Sequence, residues 1–75
     1  MPKTYKPKEV VGKYQKLGFI LDRQSGSHQI YYHPRTKKRA VIPYHLKEIP
    51  KGTLTAILRE SGISKDEFEK ETFSN

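Results

Sequence analysis

The chain has 75 residues, no cysteine and 33% hydrophobic residues, which suffices for one domain with a thin core and excludes disulfides and thiolate metal sites. No apolar run approaches the roughly 18 residues of a membrane span, and no signal-peptide core is visible, so the sequence predicts a cytoplasmic protein without a membrane partner. The formal net charge of +7 points instead to an anionic partner, with nucleic acid leading and an acidic protein as the competitor.

Pro7 suits a first helical position, and Val10, Val11, Tyr14 and Leu17 follow as one apolar stripe, with Lys8, Lys13 and Lys16 largely off it. Gly18 is placed to stop that helix. Residues 19–23 read as a strand, Ser25-Gly26-Ser27 as a turn, and residues 28–33 as a second strand. Residues 34–38 make a basic hairpin loop, and residues 39–42 a third strand stopped by Pro43. A connector ending in Pro50 leads to a helix with Leu54, Ile57 and Leu58 on one face, which ends near Ser61-Gly62. Ser64 and Glu67 have capping-box spacing and open a short acidic helix, about 64–72, anchored by Phe68.

The predicted fold is therefore α+β, a single domain over 1–75 in the order α-β-β-β-α. A three-stranded antiparallel sheet carries helices on one face, with a short extra helix at the end. Double-stranded-RNA-binding domains share this order. They read A-form helices by shape, through 2′-hydroxyl and phosphate contacts.

Charge is split along the chain. Residues 1–59 hold thirteen lysines and arginines against Glu9, Asp22 and Glu48, whereas residues 60–75 hold two lysines against five acids. Lys37, Lys38 and Arg39, with Arg35, are the densest basic run, readable as a solvated hairpin tip or as phosphate contacts. Lys51 and Gly52 open the second helix, where backbone N–H groups and the positive dipole end can hold a phosphate. Tyr31, Tyr32 and Tyr44 can stack on bases or complete the core, and strand parity puts Tyr32 with His28. The acids Asp66, Glu67, Glu69 and Glu71 read as a solvated helix face.

Three histidines are present. His28 follows the glycine turn, His33 has the opposite strand parity, and His45 lies in the connector, where it can approach a site or cap a helix. None has the short helical spacing of a zinc motif. No metal or other cofactor is expected.

Gly18-Phe19 with Gly26-Ser27-His28-x-x-Tyr31 is similar to the first half of HicA-type toxins. Pro43-x-His45, Glu48-Ile49, Gly52-Thr53-Leu54, Ile57-Leu58 and Gly62-Ile63-Ser64 resemble the second half. The likeness spans roughly residues 7–70. It implies a double-stranded-RNA-binding-like fold, messenger-RNA cleavage, a catalytic histidine at His28, and a HicB-like antitoxin that blocks the toxin. DNA contact is expected only through the antitoxin complex. Many relatives carry a second histidine directly after the first, where this chain has Gln29.

The chemistry suits that reading. RNA is cleaved without metal when a base removes the 2′-hydroxyl proton, the phosphorane charge is stabilised, and an acid helps the 5′-oxygen leave. Histidine, with an ordinary pKa near 6.5, fits the first or last role. Gly26 permits close backbone approach, Ser27 can donate to a phosphate, and Lys37, Lys38, Arg39 and Lys51 supply positive charge. The competing readings are a non-catalytic double-stranded-RNA-binding module and a pure protein-interaction subunit.

Overall fold

The computed structural model describes residues 4–70. Helix α1 spans Pro7–Lys16, with Pro7 in its first turn and the Glu9 carboxylate accepting the Lys6 N–H at 2.8 Å. It stops as the glycine predicts. Gly18 adopts φ 101°, its N–H reaches the Gln15 carbonyl, and the Phe19 N–H reaches the Tyr14 carbonyl, the two bonds of a Schellman ending. A second constraint acts on Gly18, since a Cβ there would lie 2.8 Å from His33 Nε2.

The antiparallel sheet has the order β1-β2-β3, formed by β1 (Ile20–Ser25), β2 (His28–Tyr32) and β3 (Arg39–Pro43). This is the α-β-β-β-α arrangement of the sequence reading, with shifted strand ends. Phe19 belongs to the helix ending and is buried. Ser25 pairs with His28, which leaves a two-residue turn. Gly26 alone takes positive φ there, 59°, as a glycine-first II′ hairpin requires. His33 falls outside β2 because its N–H and C=O close the following loop onto Lys38 and Lys37.

Tyr31, Ala40 and Ile42 turn to the helical side and are buried, whereas all six residues of β1 are exposed. The helices thus cover β2 and β3, and β1 stands beyond their reach.

Helix α2 (Lys51–Ser61) ends at Gly62 with φ 72°, and α3 spans Lys65–Lys70. Ser64 and Glu67 form the expected reciprocal cap, each bond 3.1 Å. Asp66, Glu67 and Glu69 are exposed, while Glu71 and the expected end of this helix lie outside the described residues. Phe68 is fully buried, edge-on to Tyr5. Lys13 departs from its expected place off the stripe. It is buried, its ammonium donates to the Phe68 carbonyl at 3.1 Å, and it stands 5.1 Å from that ring's centroid and 5.5 Å from that of Tyr5.

Tyr14 and Ser61 join α1 to α2 through hydroxyls 2.6 Å apart. Burial pushes the Tyr14 phenol up to about 12, partly offset by the Ser61 bond. A raised folded-state pKa gives stability present below the unfolded value near 10 and lost as pH climbs toward about 12. Urea unfolding across that window should show a decline that Tyr14→Phe reduces, and an equal decline in both proteins would contradict the assignment.

Candidate active site

His28 begins β2 on the face turned away from the helices, since Gln29 and Tyr31 point inward and residues alternate along a strand. Its imidazole is exposed. Beside it stands His45, the ring centroids 5.6 Å apart at 63°. The connector after β3 brings His45 there: the Tyr44 N–H donates to the Ser27 carbonyl at 2.8 Å, so the chain leaving β3 is tied to the hairpin turn just before His28. Two imidazoles thereby meet from segments seventeen residues apart. Nothing lies within 4 Å of where a Cβ on Gly26 would sit, and the turn's backbone is open to a ligand.

The other predicted residues divide. Arg39 shares the outer face with His28, but at the opposite end of β2, where it pairs with Tyr32. Lys37 takes φ 65° in the loop. The Lys38 stem runs close to Gly62, which a Cβ would bring within 3.6 Å, on the helical side of the sheet. The basic run therefore does not converge on His28, from which β2 separates it by roughly 13 Å. Lys51 is exposed in the first turn of α2, whose cap Pro50 offers no side-chain acceptor.

His33 is a structural residue. Its Nδ1 accepts the N–H groups of Arg35 and Thr36, and its ring packs edge-on to Phe19 at 5.1 Å. Tyr31 is in the core, its hydroxyl donating to Gln29 Oε1 at 2.9 Å. Burial, and secondarily Tyr44, push its phenol up. Tyr32 stands on the outer face, as parity predicts.

Arg23 was not singled out from the sequence. It pairs with Ile30 two places from the Ser25–His28 pair, so it lies diagonal to His28 on the outer face, about 7–8 Å away by strand geometry. Its signal was present in the turn: fixing Ser25 opposite His28 fixes Arg23 opposite Ile30.

Among the described residues no three His, Cys, Asp or Glu side chains cluster to hold a metal ion, and no helix is long and apolar enough to cross a membrane.

The chain is a small basic α-β-β-β-α domain with two histidines side by side at one open end of its sheet. The family model described as the HicA toxin of bacterial toxin-antitoxin matches residues 7–63, and the chain belongs to that family. It is accordingly the toxin of a toxin–antitoxin system. No curated protein matches it.

Proposed function

We propose that this toxin is a metal-independent endoribonuclease that cleaves messenger RNA in the cytoplasm, with His28 as the proton-transfer residue. The observation that carries the reading is the exposed His28 imidazole beside His45 at an open glycine turn. In the reaction the 2′-oxygen bonds to the adjacent phosphorus as the P–O5′ bond breaks. One product ends in a 2′,3′-cyclic phosphate and the other in a 5′-hydroxyl. A base takes the 2′-proton and an acid supplies one to the 5′-oxygen. These oxygens lie on opposite sides of phosphorus, so one group cannot serve both at once, and the neighbouring imidazoles of His28 and His45 offer two. His28 takes one role and His45 the other, while the Gly26-Ser27 turn and Arg23 face the phosphate.

A HicB-like antitoxin neutralises the toxin by covering His28, and DNA is contacted only through that complex. Incubation of wild type and His28→Ala with single-stranded RNA in excess chelator tests the reading. Cleavage by wild type alone supports it, and equal cleavage by both removes His28 from the reaction. Cleavage by neither, with equal RNA binding, favours a passive RNA-binding module.

Lys37 and Lys51 contribute affinity through phosphates. Lys37→Asn, chosen because asparagine tolerates positive φ, and Lys51→Ala should each flatten the slope of log affinity against log salt by about 0.7. An unchanged slope in a salt titration would remove the residue from the RNA path.

A further inference from the structure

Asp22 is the extra residue of a bulge, since the pairing of β1 with β2 shifts between Leu21 and Arg23. Bulges re-aim a side chain out of the regular alternation. The Asp22 carboxylate meets the Arg39 guanidinium at 3.1 Å, although β1 and β3 are not neighbours and β2 lies between them. This ion pair therefore reaches across β2. Tyr32 belongs to the strand it crosses, and Arg39 Cζ is 5.3 Å from the Tyr32 ring centroid. An exposed ion pair of this kind adds little stability. Its effect is to hold a long, planar cation in one place, and the Arg39 side chain remains 55% exposed.

We infer that Asp22, Arg39 and Tyr32 form a stacking plate for one unpaired base of a single-stranded RNA that runs along β2 toward His28. The inference rests on the ribonuclease reading and adds a base-binding subsite to it. Guanidinium planes and aromatic rings are the surfaces on which splayed bases stack, whatever their sequence. Bases within a duplex are already stacked and cannot reach the plate, so single strands are selected. The guanidinium stacked on an aromatic ring favours RNA over a protein occupant, and the charge of the face suits an anionic ligand. The outer face carries Arg23, Arg39 and His28, its Asp22 carboxylate is paired to Arg39, and the whole chain is +7. Tyr32 lies four residues along β2 from His28, roughly 13 Å, so the plated base belongs to a nucleotide near the cleaved one and not to the cleaved one itself.

The test uses full-length protein and a short labelled RNA, 2′-O-methylated throughout so that it resists cleavage, followed by fluorescence anisotropy. The same strand is also prepared with its bases removed, and as a duplex. Wild type should bind the base-bearing strand more tightly than the abasic strand or the duplex. Tyr32→Leu and the charge-conserving Arg39→Lys should each weaken the base-bearing strand about tenfold while leaving abasic affinity unchanged. Thermal melting confirms that both variants fold.

Equal losses for both strands, or no loss for either, would overturn the plate. So would unchanged RNA affinity accompanied by lost antitoxin binding, which would give the face to a protein. Cleavage of unmodified RNA is scored separately. Cleavage without base preference removes the plate and leaves the ribonuclease reading, whereas base preference without cleavage does the reverse.

Discussion

His28→Ala is expected to lower the rate of RNA cleavage by at least about 100-fold, the lower end of what a positioned proton-transfer group contributes, with affinity for uncleavable RNA within about twofold of wild type. The imidazole is exposed at a strand end, so its removal leaves no cavity and the fold should persist. His45→Ala is the informative companion. If the two rings act on the phosphate as base and acid, wild type shows a bell-shaped pH dependence of kcat/KM. Each alanine variant then retains only one limb. If His45 merely supports His28 by ring contact, His45→Ala lowers the rate at every pH and leaves both limbs in place. The double variant decides whether they act as a unit, because residues serving one proton relay are far from additive. A His45→Ala rate equal to wild type would confine proton transfer to His28 and some group other than His45.

Much of this scaffold was legible because its determinants are local. Gly18 and Gly62 stop helices by a backbone conformation that other residues resist. The Ser64–Glu67 cap closes within one turn, and alternation along β2 separates Tyr31 from Tyr32. What escaped was set at a distance. Lys13 is buried where its ammonium donates a hydrogen bond to a carbonyl 55 residues away, and no periodicity in α1 encodes that.

Lys38 precedes the third strand, so no strand alternation in the sequence separates it from Arg39, and a run of like charge reads as one patch when taken as composition. The bulge at Asp22 was hidden for a different reason. A single carboxylate in a strand looks unremarkable until the register slips around it. His45 was visible as a residue and not as a neighbour, because its place depends on one backbone bond from Tyr44 to the hairpin turn.

Phe68→Ala is expected to destabilise the protein by about 3–5 kcal/mol, the range for emptying a buried aromatic site. That is a large part of the roughly 5–15 kcal/mol that holds a domain together, and for a chain of this size it lowers Tm by well over about 10 °C. The ring is fully buried, meets Tyr5 at 5.1 Å and 85°, lies 6.0 Å from Tyr14, and shares Lys13 with its own carbonyl. Removing it detaches a six-residue helix whose cap alone cannot hold it.

Phe68 lies beyond the residues that the HicA family model matches, so the expected loss means that this chain completes its core with an element outside that region. Urea unfolding separates the alternatives. A lower midpoint with an unchanged slope shows that α3 unfolds with the domain. A loss below about 1 kcal/mol, no more than an ordinary substitution, would show that α3 is a separable flap, and that the core closes on Tyr5 and Tyr14 without it. Glu69→Ala, on the exposed side of the same helix, should change stability by no more than about 0.5 kcal/mol and serves as the control for helix propensity.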